Sequence, residues 1–225
     1  MLYEFCAENL TDIEAALKAG ARRIELCDNL AVGGTTPSVG VIEQAVNLVH
    51  AYEGAEVRVI IRPRGGDFAY SDLELRAMET DIRIAAANGA DGVVIGCLKR
   101  GEDGAFLLDT ERTARLIKVA QSVGEMRGRA LGITFHMAFD ELAGESQLDA
   151  IDALAELGVD RILTHGGAAG TPIEGNFDNL RALIERAQNK LVILPGGGIT
   201  FENAAQVQEA LGVRELHGTK IVRLS

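Results

Sequence analysis

The sequence feature that most constrains the fold is a regular alternation of short β-rich runs with amphipathic helical patterns. Eight such runs begin near residues 2, 22, 57, 92, 131, 161, 191 and 214. Similar phrases recur before several of them, and each reads as a helix end, a glycine, a short loop and a buried strand. The phrases are KAGARRIEL, ANGADGVVI, AELGVDRIL and EALGVREL. Repeated βα units of this kind predict an α/β fold, a single (β/α)8 barrel over residues 1–225.

An open, doubly wound parallel sheet is the alternative architecture. The barrel is preferred because eight strands suit closure, and because no GxGxxG follows the first strand to mark a dinucleotide site. The chain ends eight residues after His217, so the eighth helix is predicted to be short or missing. A missing helix would leave apolar surface uncovered near the tail Thr219 to Ser225, and we therefore expect a homodimer.

Composition and net charge exclude some kinds of binding partner. Hydrophobic residues make up 47% of the chain, charged residues make up 24%, and the formal net charge is −11. This is globular composition, and its acidity argues against binding to nucleic acid or to an anionic membrane. No apolar run approaches the ~18 residues of a spanning helix. The N-terminus lacks signal-peptide features and three cysteines make no disulfide framework, so we expect a reduced, cytoplasmic protein.

Polar side chains break the apolar pattern at the C-terminal ends of five predicted strands. Buried parallel strands normally read as continuous Val, Ile and Leu, and the chemistry of a barrel sits at these ends. We interpret the polar residues as the lining of one cavity, and we predict that five of them surround it: Glu4, Glu25, Arg62, His136 and His217. The alternative is that some face the outer helices or form structural ion pairs. The pairs that share a strand face are Glu4 with Cys6, Glu25 with Cys27, Arg62 with Arg64, Thr134 with His136, and Glu215 with His217.

Two loops have features of an anion site. After the third strand, Arg62 and Arg64 lie beside two glycines and Asp67, where paired guanidiniums can clamp a carboxylate or phosphate. An Arg–Asp ion pair that braces the loop explains the same residues. After the seventh strand come Gly196, Gly197 and Gly198, followed by Thr200 as the predicted cap of a helix, and barrels often bind phosphate at this place.

These residues support the hypothesis of an enzyme that acts on a small anionic or phosphorylated substrate. Glu25 or Glu215 would be the general base, and His136 would be a general acid or electrophile. The substrate would be held by the loop residues Arg62, Arg64, Asp67, Gly196, Gly197 and Gly198, together with His217.

The cysteines support a second hypothesis, metal binding. Cys6 and Cys27 end adjacent parallel strands about 4.8 Å apart, so their sulfurs can meet. Two thiolates suit Cu(I), whereas Zn(II) would need His136 or His217 as further ligands. The alternative is that both are ordinary core cysteines, as we interpret Cys97 to be.

Several longer phrases resemble the CutC copper-homeostasis family over almost the whole chain. They are RIELCDNLAVGGTTPSVGV (23–41), IIRPRGGDFAYSD (60–72), TFHMAFD (134–140), RILTHGG (161–167), LPGGGIT (194–200) and ELHG (215–218). The resemblance implies a cytoplasmic TIM barrel associated with copper handling, in which Cys6 and Cys27 bind Cu(I), and it implies no particular reaction. Met137 stands where many members have Arg, and His165 stands where many have Ser.

Overall fold

The β-rich runs of the sequence form a parallel barrel, as predicted. The computed structural model describes residues 1–224, and within them ten strands are formed, of which eight belong to one parallel sheet. The strands are β1 (Leu2–Glu8), β2 (Arg23–Cys27), β3 (Glu56–Ile60), β4 (Gly92–Ile95), β5 (Leu98–Arg100), β6 (Phe106–Leu108), β7 (Gly132–Phe135), β8 (Arg161–Thr164), β9 (Val192–Pro195) and β10 (Glu215–Gly218). The sheet order is β10-β1-β2-β3-β4-β7-β8-β9, while β5 and β6 form a separate antiparallel hairpin.

The two end strands of the sheet meet and nearly close the barrel. The segments that follow β9 and β10 are joined by a bridge between Thr200 and Lys220. The backbone N–H of Phe201 also donates to the Lys220 carbonyl at 2.8 Å. All eight strands therefore direct their C-terminal ends to the same mouth, which is the geometry that the sequence predicted.

Helices follow the barrel strands and pack on their outer faces. Within residues 1–224 they are α1 (Ile13–Lys18), α2 (Val39–His50), α3 (Asp72–Ala87), α4 (Thr110–Arg127), α5 (Gly144–Leu157), α6 (Phe177–Ala187) and α7 (Ala204–Leu211). The start of α3 is fixed by a capping box, in which Ser71 and Glu74 satisfy each other's backbone N–H groups. The prediction that Thr200 caps the helix after β9 is wrong. Helix α7 begins after Asn203, whose side-chain oxygen accepts from the Thr200 N–H at 2.8 Å and forms a turn instead.

No helix follows β10 within the described residues, so the eighth helix is missing as predicted. The outward-facing Leu216 of β10 is nevertheless buried, and Ile221 and Val222 of the tail join the main apolar core. The chain thus covers its own strand at this place, and the uncovered surface that motivated a homodimer is not found there. Self-association stays a prediction without that support. Ser225 lies outside the described residues, and within them no helix is long and apolar enough to cross a membrane.

Side-chain alternation separates an apolar outer layer from a polar interior. On β2, Ile24 and Leu26 belong to the main core between sheet and helices, while the alternate residues Arg23, Glu25 and Cys27 face the barrel axis. Inside the barrel, Arg23 pairs with the carboxylates of both Glu4 and Glu215. The interior of the barrel is therefore built partly from ion pairs rather than from the usual branched aliphatic side chains.

The ion pairs continue across the barrel toward its N-terminal half. Arg161 donates to Glu215 at 3.2 Å. The Arg58 guanidinium lies over Gly92 and Gly132, at positions where a Cβ on either glycine would collide with it. The glycines in β4 and β7 thus leave room inside the barrel for the long side chain of Arg58 on β3. Burial and the neighbouring Arg161 and Arg23 lower the pKa of Arg58 to about 10.

Candidate functional site

A partly open cavity lies at the C-terminal mouth of the barrel. Its volume is about 140 Å³, and its walls are mainly apolar. The polar or sulfur-bearing residues that line it are Cys6, Glu25, Cys27, Arg62, His136, Met137 and His217, and the others are Leu30, Gly33, Ile60, Phe68 and Leu163. Of the five residues predicted to surround one cavity, four line it, and Glu4 lies directly beneath.

The two cysteines meet at the wall of this cavity. Their Sγ atoms are 3.9 Å apart, and the side chains are 7% and 1% exposed. The strand register pairs Cys6 with Glu25 and Glu8 with Cys27. The two Glu-x-Cys phrases are therefore offset by one side-chain level, and Cys6 lies beside Glu25 with Cys27 one level above. Oxygen and sulfur atoms of Cys6, Glu25 and Cys27 come within 4.8 Å of one another, which is close enough to hold a metal ion.

His217 joins the two buried glutamates beneath the cysteines. Its Nδ1 lies 2.8 Å from Glu4 Oε1, and its Nε2 lies 3.4 Å from Glu25 Oε2. Burial alone would lower the pKa of His217, but Glu25, Cys6 and Glu4 hold it well above its ordinary value. Burial of Glu4 is likewise outweighed by Arg23 and His217, which keep its pKa far below the usual range. Glu4 and His217 therefore form a buried ion pair.

The two thiols differ in their readiness to ionise. A hydrogen bond from Cys27 lowers the pKa of Cys6 to about 5, against the effect of burial and with help from His217. The same contact and burial raise the pKa of Cys27. Burial, reinforced by the Cys6 thiolate, raises the pKa of Glu25. The arrangement therefore favours ionisation of the Cys6 thiol over ionisation of the Cys27 thiol.

His136 lies on the opposite wall and is held in one tautomer. Its Nδ1 accepts the backbone N–H of Ala138 at 3.1 Å, so the proton of the neutral ring is on Nε2. Burial and the nearby charge of Arg62 lower the pKa of His136 to about 3. The ring fits there only because Gly96 has no side chain, since a Cβ at that position would collide with it.

Arg62 ties together the loops that form the rim of the cavity. Its Nη1 donates to the carbonyls of Val32 and Gly34, each at 2.8 Å, and its Nη2 donates to the Gly66 carbonyl at 2.7 Å. The guanidinium also lies over the Phe68 ring, with its Cζ 4.8 Å from the ring centroid. Arg62 thus organises the loops after β2 and β3 while its charge remains beside the cavity.

Several predicted site residues lie away from the cavity. Arg64 donates to Glu74 and, at 3.2 Å, to Asp67. It also donates to the backbone carbonyl of Ala69 in its own loop. The Arg64–Asp67 ion pair therefore braces the loop, which is the alternative that the sequence left open. Glu215 is the first residue of β10, so it lies toward the opposite end of the barrel, where it pairs with Arg23 and Arg161. Neither Arg64 nor Asp67 nor Glu215 is in a position to contact a ligand in this cavity.

The glycine loop after β9 also lies outside the cavity lining. The Gly196 carbonyl faces His165 Nδ1 at 3.1 Å, and a Cβ on Gly197 would come within 2.9 Å of the same ring. The Gly198 carbonyl accepts a hydrogen bond from Asn203 Nδ2 at 3.1 Å. His165 therefore occupies the space next to the loop where an anion was expected. Its Nε2 lies 3.1 Å from Thr171 Oγ1, which makes it a loop-bracing residue.

Sequence reasoning missed the apolar walls and the interior arginines. Ile60, Phe68 and Leu163 line the cavity but read in the sequence as ordinary strand or loop residues. Arg23 is the first residue of β2 and therefore does not lie at a C-terminal strand end, where catalytic groups of a barrel are expected. Its position two residues before Glu25, on the same face of β2, was the available signal.

Comparison with known proteins places these features in one family. The sequence pattern of the CutC family matches residues 1–222. A family protein CutC from Enterococcus faecalis is 56% identical over 225 residues, which cover 99% of this chain and 100% of the relative. A human protein named copper homeostasis protein cutC homolog is 40% identical over 216 residues, which cover 96% of this chain and 72% of the relative.

Solved structures agree with the sequence comparison. A crystal structure of CutC from Streptococcus agalactiae superposes with a TM-score of 0.89 at 45% identity, covering 99% of this chain and 100% of that chain. The aldolase QR15 has a TM-score of 0.64 at 14% identity, covering 97% of this chain and 89% of that chain, and this likeness shows the fold alone.

Proposed function

Because this chain belongs to the CutC family, we propose that it is a cytoplasmic copper homeostasis protein that binds Cu(I) through Cys6 and Cys27. The observation that carries the proposal is the 3.9 Å separation of the two sulfurs at the wall of the cavity. In this proposal copper is the protein's cargo rather than a resident cofactor, in keeping with the names of its relatives.

The donor set fits a soft monovalent ion. Two thiolates prefer Cu(I) to harder cations, and metal–thiolate bonds of about 2.3 Å, the value for zinc, allow two sulfurs up to about 4.6 Å apart to share one ion. The observed separation is shorter than that limit, so both sulfurs can bind one ion at an angle. Zinc would require about four ligands. The further donors beside the sulfurs are Glu25 and His217, and both nitrogens of His217 already face carboxyl groups.

The surroundings of the sulfurs support binding and retention of this ion. Cys27 and His217 favour the thiolate form of Cys6, and Cys27 loses its own proton when the ion binds. Ile60 and Val94 pack beside the two cysteines inside the barrel, with Leu30 against the same cluster. These apolar side chains limit the access of water and of harder ligands to the sulfurs.

A competition titration against a Cu(I) chelator under reducing conditions tests the proposal. Wild type and Cys97→Ser are expected to withdraw copper from the chelator equally, because Cys97 is buried in the outer apolar core away from the cavity. Cys6→Ser combined with Cys27→Ser is expected to withdraw none. Equal affinity in wild type and the double variant would refute the copper site.

A further inference from the structure

We propose that the wall of the cavity formed by His136 and Arg62 binds the carboxylate of a small organic monoacid, through His136 Nε2–H and Arg62 Nε–H. This site lies across the cavity from the cysteines and does not depend on copper. It would make the protein a receptor for a small carboxylate as well as for a metal ion.

Arg62 is a buried cation without a counter-ion. It is 4% exposed, and its hydrogen-bond acceptors are the neutral carbonyls of Val32, Gly34 and Gly66. Among the residues that the structure describes, no carboxylate forms an ion pair with it, and its Nε has no hydrogen-bond partner. A buried charge is normally paired, because an unpaired one is costly to remove from water. The Tyr70 hydroxyl, which is also buried and without a hydrogen-bond partner, lies close to Arg62 but is neutral and does not offset its charge. An anion from outside the chain would offset it.

His136 supplies a second unused donor on the same wall. It is 4% exposed, and the Ala138 N–H already occupies Nδ1, so Nε2 carries a proton. Within residues 1–224, this Nε2 has no hydrogen-bond partner. A buried donor left without an acceptor costs about 1–3 kcal/mol. A carboxylate has two oxygens, one for each of the two unused donors.

Phe68 links the two donors and indicates how a ligand would enter. Its ring centroid lies 4.9 Å from that of His136, and the Arg62 guanidinium lies over its face. Both donor atoms are shielded from solvent in this structure. The Phe68 ring lines the cavity beside both residues and is carried by the irregular loop between β3 and α3, so we expect it to shift when a carboxylate reaches the donors.

Size and charge define the class of ligand. Apolar residues form most of the remaining wall, and the volume of about 140 Å³ is close to that of an engineered cavity of about 150 Å³ that binds benzene. One arginine and one neutral imidazole supply a single positive charge, which matches the charge of a monocarboxylate better than that of a phosphate dianion. The ligand is thus a monocarboxylic acid with an apolar body of up to about six carbon atoms, of the size indicated by that benzene-binding cavity.

Calorimetric titration of the metal-free protein with benzoate tests the proposal. Wild type and Cys97→Ser, whose substitution lies outside the cavity, are expected to bind benzoate alike, whereas His136→Phe is expected to bind about tenfold more weakly or worse. His165→Phe is the matched control, because it removes another buried imidazole that lies outside the cavity lining. Benzyl alcohol, which lacks the charge, and inorganic phosphate are expected not to compete.

The nitrogen NMR signal of His136 Nε2 in wild type is a second measurement that needs no variant. It is expected to shift on addition of benzoate. No binding to wild type, equal binding to His136→Phe, equal competition by phosphate, or an unchanged Nε2 signal would each overturn the proposal. Copper affinity of His136→Phe is expected to equal that of wild type, so failure of this site and failure of the copper site give different results.

Discussion

Replacing Arg23 by Met tests whether the ion pairs inside the barrel hold the floor of the site in place. Arg23 is 1% exposed and pairs with the carboxylates of Glu4 and Glu215. Loss of one partner from a buried ion pair costs about 3–5 kcal/mol. Glu4 would keep His217 at 2.8 Å and Glu215 would keep Arg161 at 3.2 Å. The expected loss of unfolding free energy is therefore at the low end, about 3 kcal/mol.

Urea unfolding followed by circular dichroism measures this loss. For a denaturant dependence of about 3 kcal/mol per molar urea, the Arg23→Met midpoint should fall by about 1 M. Arg181→Met is the matched control, since Arg181 forms an exposed pair with Asp178 and should leave the midpoint almost unchanged. Equal midpoints for the two variants would show that the interior ion pairs do not stabilise the barrel.

Two further predictions rest on the structure, and a third, self-association, rests on the sequence alone. Gly92→Ala should lower the unfolding free energy by about 1–3 kcal/mol, because its Cβ would come within 2.6 Å of the Gly132 backbone carbonyl oxygen and would also meet the buried Arg58 guanidinium; unchanged thermal unfolding would contradict this. Cu(I) should protect Cys6 from alkylation by iodoacetamide, as read by mass spectrometry, while Cys97 should resist with or without copper; modification of Cys6 at an equal rate in both samples would contradict the site. Light scattering should report a dimer, and a monomer at every concentration would refute self-association.

The barrel could be predicted from the sequence because its signal is local. Several strand starts follow a helix end, a glycine and a short loop, and this order recurs along the chain, so the number and positions of the barrel strands follow from the pattern. The Glu-x-Cys phrases also showed which side chains share a face. They did not show at which level of the barrel each one lies, because the offset that pairs Cys6 with Glu25 depends on strand register in three dimensions.

Residues whose role depends on distant loops could not be assigned from the sequence. Arg62 and Arg64 looked equivalent, yet Arg62 turns inward to the carbonyls of Val32 and Gly34, while Arg64 turns to Glu74 on the following helix. The path of the loop after β2 decides this difference. The glycines after β9 looked like a phosphate loop, and only the structure shows that His165 fills the adjacent space.

X-ray absorption at the copper edge of the Cu(I)-loaded protein tests the central claim most directly, because it reports the atoms bound to the metal. We expect two sulfur ligands on copper in wild type, one in Cys27→Ser, and two in Cys97→Ser. A first shell of nitrogen or oxygen alone in wild type, or an unchanged sulfur count in Cys27→Ser, would contradict the assignment of Cys6 and Cys27 as the copper ligands.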